Sequence, residues 1–275
     1  MKQRTLNGSE LAGFIKERQA KQVRNLRQEH AIFPKLAIVT DSDNPVIATY
    51  MRLKQRYGAD ILIDVEIHHV QPGEAKRTVK GLNAREDVTG IIVQLPLTDD
   101  AETAEVLQAV APEKDIDGLH PESTFDAATP IAISWLLAGY NVELAGGRRV
   151  AIVGRGRLVG APLERMWRAS GVDVTVFEKG DDLSELIGYD VIVTATGVPG
   201  VITSEMVHAG AVVVDAGTAS EKGKITGDVA IDVRARTDLS ITPEKGGVGP
   251  LTVTALFDNV IVAARRIAEQ KQNAH

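Results

Sequence analysis

The chain of 275 residues is 44% hydrophobic, which excludes a disordered tail and allows a sizeable core in one large α/β domain or two small ones. Its 31 basic and 37 acidic residues give a formal charge of −6, which argues against the broad basic footprint of a nucleic-acid binder. The absence of cysteine removes disulfides, thiolate nucleophiles and cysteine-based zinc sites together, and fits a reducing compartment.

The opening MKQRTLNGSE lacks the apolar core of a signal peptide, and no later run approaches the ~18 apolar residues of a membrane span. The expectation is a cytosolic protein with no membrane or nucleic-acid partner. An amphipathic helix over 9–30 comes first. Three similar units follow, each an apolar run and then a helical pattern. The runs are KLAIVT (35–40), ADILIDVEI (59–67) and TGIIVQL (89–95); the helical stretches are 45–57, 72–85 and 101–110, two of them opened by Pro45 and Pro72. This β-α-β-α-β-α alternation predicts a parallel sheet covered by helices. His68 and His69 adjoin at a strand end and read as a solvated loop edge; none of the six histidines has metal-ligand spacing, so no metal is expected.

The Pro-, Asp- and Gly-rich stretch APEKDIDGLHPESTFDAATP (111–130) interrupts the rhythm before a helix over 130–140, and marks a domain junction. A second alternation then runs as strand 149–154, helix 160–170, strand 172–177, helix 181–187, strand 190–194, helix 203–208 and strand 211–215. After KGGVGPLTV (245–253) a long helix over 252–270 closes the chain. The predicted layout is two α/β lobes with a cleft between them: 1–120 plus 253–275, and 121–252.

GRGRLVG sets Gly154, Gly156 and Gly160 directly after an apolar strand and at the opening of a helix, a context that suits dinucleotide binding. The first glycine allows the tight turn, the second lets the backbone approach a pyrophosphate, and the third lets helix and strand pack. The next strand ends at Glu178, a position where a carboxylate hydrogen-bonds the adenosine ribose and repels a 2′-phosphate. Arg155 and Lys179 are cations able to hold that phosphate. The residues leave NAD and NADP both open.

In DNPVIATYMRLK (43–54), Tyr50 and Lys54 are four residues apart and share one helix face, a ring and an ammonium suited to a flat heteroaromatic substrate. Gln94 closes a buried parallel strand at its carboxyl end, where ligand-binding groups are presented. Asp115 and Asp117 follow in the junction loop, where turn and capping chemistry is the alternative reading for each.

The chain resembles the methylenetetrahydrofolate dehydrogenase/methenyltetrahydrofolate cyclohydrolase family over essentially its whole length. The matching pieces in order are Tyr50-x-x-x-Lys54, GIIVQLPL (90–97), PEKDIDG (112–118), Thr129-Pro130, VGRGRLVGAP (153–162), GDV (227–229) and GGVGPLT (246–252). The resemblance implies an N-terminal three-layer α/β folate lobe with a parallel sheet, a Rossmann-type NAD(P) lobe, and a C-terminal helix returning to the first lobe. It further implies that Lys54 serves the hydrolytic step, that Gln94 orients and tunes it, and that Tyr50 stacks on the folate. Asp117 grips the pterin, and Gly247, Val248, Gly249, Pro250 and Leu251 form a loop that closes over it. Thr196 joins Gly154, Arg155, Gly156, Gly160, Glu178 and Lys179 among the implied cofactor residues, and the implied assembly is a homodimer.

Several positions depart from the family pattern. Ile47 stands where a small hydroxyl residue is usual, Ala128 where cysteine is common, Gly156 and Lys179 where serines are typical, and Pro243-Glu244-Lys245 replaces Pro-x-Pro. The altered phosphate-contacting positions bear on cofactor choice. Two other readings remain: a small-acid dehydrogenase of the shikimate dehydrogenase kind, and a catalytically silent dinucleotide-binding sensor.

Overall fold

The fold is described from a computed structural model, which covers residues 4–217, 219–221 and 224–273. In chain order, β1 (Arg4–Thr5) and α1 (Gly8–Glu29) precede an alternation of β2 (Lys35–Thr40), α2 (Pro45–Asp60), β3 (Asp64–His69), α3 (Ala75–Asn83), β4 (Gly90–Val93) and α4 (Thr103–Gln108). The second part holds α5 (Ala128–Gly139), β5 (Val150–Val153), α6 (Gly160–Ala169), β6 (Val174–Phe177), β7 (Val191–Thr194), β8 (Val212–Asp215), β9 (Ala219–Glu221) and β10 (Lys224–Thr226). It closes with α7 (Ile231–Arg234), β11 (Ser240–Ile241) and α8 (Val248–Asn273). Two compact units result, one of residues 14–128 and 253–275, the other of 1–13 and 129–252.

The first unit carries a three-stranded parallel sheet in the order β3-β2-β4. β2 and β4 are almost wholly buried while β3, at the edge, is only half-buried. That difference follows from sequence: a strand covered on both faces reads as a continuous apolar run, whereas DVEIHH alternates. Ala37, Val39, Val79, Leu82, Ile91 and Val106 form a core between sheet and helices, each large aliphatic contributing about 1.5–3 kcal/mol of burial. α2 begins where Asn44 Oδ1 accepts the Val46 N–H at 2.8 Å, with Pro45 at its first position.

The second unit carries a six-stranded parallel sheet, β1-β11-β8-β7-β5-β6, with β5 and β7 fully buried and β6 at one edge. Ala151, Val153, Ile192, Val213, Leu186 and Ile241 lie in its core.

Several expectations are corrected. The run 59–67 is not one strand: α2 continues to Asp60, Leu62 turns the chain at φ 65°, and the strand starts at Asp64. Ile61 and Ile63 are buried in that turn, so apolar continuity there reflects core burial and not strand pairing. His68 and His69 lie inside β3 and not in a loop, with His68 Nε2 3.0 Å from Glu66 Oε1. The stretches 181–187 and 203–208 are short 3₁₀ turns, Leu183–Gly188 and Ser204–Met206. Residues Arg4 and Thr5, expected in the first lobe, pair with Ser240 and Ile241 in the second sheet; a two-residue strand is too short to show a period. The absence of a span-like run also needs correction. α8 is long and apolar enough to cross a membrane by length and composition, but most of its apolar stretch is buried within the protein, as in a core helix.

Candidate active site

Lys54 and Gln94 meet in the first unit. The α2 periodicity buries Ile47 and Met51 and leaves Tyr50 and Lys54 half-buried one turn apart. Gln94 continues the β4 ladder, its N–H donating to Val39 O at 2.8 Å, and its side chain leaves the carboxyl end of the sheet. Lys54 Nζ donates to Gln94 Oε1 at 2.8 Å, while Gln94 Nε2 donates to Leu95 O at 3.1 Å. An ammonium only donates, so using the amide N–H on Leu95 turns the amide oxygen toward Lys54.

Asp117 joins this pair electrostatically. Burial lowers the Lys54 pKa, opposed by the Asp117 charge. Burial likewise raises the Asp117 carboxyl to about 6, with Lys54 pulling it down and Asp115 pushing it up. Burial also raises the Tyr50 phenol. Desolvation thus brings the titrations of base and acid toward neutrality.

The Asp117 loop is fixed from several sides. Ile91 N–H donates to Lys114 O at 2.8 Å, and Gly90 leaves room for Ile116, whose Cγ2 would lie 2.6 Å from an added Cβ. Gly118 has φ +71°, and a Cβ there would lie 2.6 Å from Ala127 N, so glycine is required directly after Asp117. From α8, buried Asn259 donates to Ile116 O at 2.8 Å and Asp126 O at 3.0 Å. Asp115 is buried and accepts the His120 N–H at 2.7 Å, a loop-building role. Ile47 is part of the core, and Ala128 is buried at the start of α5.

In the second unit the glycine loop joins β5 to α6. Gly154 has φ +95°, and a Cβ on Gly160 would lie 1.9 Å from Gly154 O, so both are demanded by backbone packing. Gly156 differs: a Cβ would meet nothing nearer than Ala195 O at 4.0 Å. The space beside it is open to a close approach by a pyrophosphate, while at the start of α6 the Ala161 N–H is donated to Gly156 O at 3.1 Å and the Leu163 N–H to Val159 O at 2.9 Å. Arg155 Nε donates to Glu164 Oε2 at 2.9 Å and Nη1 to Glu178 Oε1 at 3.3 Å. Lys179 is exposed in the adjoining turn.

Thr196 follows β7, and its N–H donates to Asp228 Oδ2 at 2.6 Å; Thr194 Oγ1 donates to the same oxygen at 2.6 Å. Asp228 is fully buried. Asp215 at the end of β8 accepts the Gly217, Asp228 and Val229 N–H groups and pairs with Arg234. Asp215, Asp228 and Glu164 were missed as site residues by sequence reasoning. A carboxylate ending the apolar run VVVD was a usable signal for Asp215, and GDV for Asp228; Glu164 has none beyond its place in α6.

The segment expected to close over the pterin belongs to the second unit and is helical. Val248, Gly249, Pro250 and Leu251 form the first turn of α8, with Val248 and Leu251 buried. Gly247 precedes the helix, and its carbonyl passes so close to Gly8 that a Cβ there would lie 1.9 Å away. Helix formation begins four residues before the expected start because the closing glycines sit at its N-terminus, where glycine and proline are tolerated.

Residues 6–117 match the tetrahydrofolate dehydrogenase/cyclohydrolase catalytic domain, and residues 127–268 match the NAD(P)-binding domain of the same family. The chain belongs to the tetrahydrofolate dehydrogenase/cyclohydrolase family. Bifunctional protein FolD of Exiguobacterium sibiricum is 36% identical to it, over 94% of this chain and 99% of that one. Among solved structures, the bifunctional enzyme FolD of Campylobacter jejuni superposes with a TM-score of 0.89 at 32% identity, over 96% of this chain and 99% of that one. The FolD of Trypanosoma brucei, complexed with NADP cofactor and inhibitor, gives 0.90 at 28% identity over 97% and 99%. Shikimate 5-dehydrogenase of Thermus thermophilus reaches 0.54 at 15% identity, a likeness of fold alone, so the family match replaces the small-acid dehydrogenase reading.

Proposed function

We propose that this family member oxidises 5,10-methylenetetrahydrofolate to the 5,10-methenyl form and hydrolyses that product to 10-formyltetrahydrofolate. The observation that carries the reading is the Lys54–Gln94 hydrogen bond of 2.8 Å, with the Asp117 charge beside it. The methylene carbon bridges two nitrogens whose lone pairs stabilise the cation left by hydride loss, so oxidation needs orientation and no obligatory base. A bound NAD or NADP supplies the hydride acceptor. Gly154, Arg155, Gly156, Gly160, Glu178, Lys179 and Thr196 are the residues that would hold it; Arg155 and Lys179 bring cations able to meet a 2′-phosphate, and Glu178 a carboxylate able to meet the ribose hydroxyls.

In hydrolysis a water adds to the methenyl carbon and, as the carbon–N5 bond breaks to leave the formyl group on N10, gives up both its protons, one to N5 and one to solvent. Lys54, with its pKa lowered by burial, manages those protons, and Gln94 fixes its position. Tyr50 provides a face for the folate ring, and Asp117 accepts hydrogen bonds from the pterin N–H donors. Gly247 to Leu251 complete the substrate contacts. The protein acts on tetrahydrofolate derivatives in the cytosol as a homodimer.

The test mixes purified protein with 5,10-methylenetetrahydrofolate and either NAD or NADP, and follows the methenyl absorbance. A rise followed by decay faster than in an enzyme-free control is expected. No rise with either dinucleotide overturns the dehydrogenase and favours the silent sensor; decay no faster than the control removes the hydrolytic half.

A further inference from the structure

We propose that the Glu164–Arg155–Glu178 bridge selects an unphosphorylated adenosine ribose, so that this chain takes NAD in preference to NADP. The inference rests on the dinucleotide reading above and concerns the specificity of that same site. Its basis is where Arg155, the loop arginine directly after Gly154, places its donors.

Glu178 directly follows β6, the position from which a carboxylate reaches the ribose hydroxyls in a dinucleotide fold. Its backbone is fixed there. Gly154 N–H donates to Phe177 O at 2.8 Å, Glu178 N–H donates to Asp181 Oδ2 at 2.7 Å, and Asp181 N–H returns to Glu178 O at 3.2 Å. Glu178 therefore opens a closed turn directly after the last strand residue, Phe177, with its side chain 55% exposed beside the glycine loop.

An arginine that is to receive a 2′-phosphate must present an N–H edge to it, with no carboxylate at that edge. Arg155 already has a carboxylate at two of its three donor nitrogens: Nε on Glu164 at 2.9 Å and Nη1 on Glu178 at 3.3 Å. Glu164 is the anchor, only 15% exposed and also held by Arg168 Nε at 3.1 Å. A phosphate arriving with nearly two negative charges would have to displace Glu178 from Arg155 and then remain beside it. Two ribose hydroxyls need no such displacement, because a carboxylate has about four acceptor sites and one arginine N–H occupies one. Lys179 is an exposed, strongly hydrated ammonium one residue from Glu178 and does not reverse the balance.

The deciding experiment measures dissociation constants of NAD and NADP for the purified full-length protein by isothermal titration calorimetry, without folate or turnover. The unaltered protein is expected to bind NAD at least tenfold more tightly. Glu178→Gln is expected to tighten NADP binding at least tenfold by freeing Arg155, and Arg155→Ala added to that variant to cancel the gain. NADP bound as tightly as NAD by the unaltered protein, or a Glu178→Gln gain that survives loss of Arg155, overturns the selector while leaving the dinucleotide site standing. Binding of neither dinucleotide overturns the site and the selector together.

Discussion

Lys54 Nζ and Gln94 Oε1 stand 2.8 Å apart although 40 residues separate them in the chain, one on a helix and the other at the end of a parallel strand. The bond fixes a partly desolvated amine at the carboxyl end of the first sheet. Replacing Lys54 by Met keeps the stem and removes the proton-handling group. The expected result is a loss of methenyl hydrolysis of roughly 10²–10⁴-fold, the usual worth of a positioned acid–base group. Dehydrogenation should change by less than about tenfold, since it draws on orientation. Separate rates of methenyl formation and decay measure the split; equal losses in both would count against the assignment.

Asp117 sets an acid limb. Its carboxyl titrates at about 6 in the folded protein, raised chiefly by burial. Below that pH it is protonated and loses the charge that attracts pterin N–H donors, so kcat/KM for folate should fall as pH drops through about 6. Stability runs the other way. The folded pKa lies above the ordinary carboxylate value of 3.8, so the contribution is fullest in acid and is lost as pH rises through about 6. Asp117→Asn should abolish the acid limb and flatten that part of the stability profile; pH-rate curves and urea unfolding at several pH values check both.

Gly160 and Gly156 of the glycine loop should separate by stability. Gly160→Ala drives a Cβ into the Gly154 carbonyl, and should cost about 1–3 kcal/mol through overpacking. Gly156→Ala meets open space and should stay within about 0.5 kcal/mol while weakening dinucleotide binding. Thermal unfolding beside calorimetric binding distinguishes the two, and an equal loss of stability in both would reject the geometry of the loop.

Asn259 holds the Asp117 loop from α8. Asn259→Leu leaves the Ile116 and Asp126 carbonyls without that donor, with an expected cost of about 1–3 kcal/mol. Because the loop carries Asp117, KM for folate should rise more than kcat falls. A urea midpoint shift with unchanged KM would confine Asn259 to stability.

The short-range order of the chain was legible in its sequence, because helix and strand periods and glycine positions are local. KLAIVT and GIIV announce buried parallel strands, and Asn44-Pro45 announces the start of α2. Family-like motifs likewise exposed Tyr50, Lys54, Gln94 and Asp117 as candidates. Tertiary structure decided what depends on neighbours distant in sequence: that Lys54 finds Gln94, and that Arg155 is shared between Glu164 and Glu178. It also decided that Thr196 is tied to a buried Asp228, and that Arg4 and Thr5 join the second sheet. The physical reason is the range of the forces: backbone preference acts over a few residues, whereas desolvation and hydrogen bonding between side chains depend on which elements the fold brings into contact.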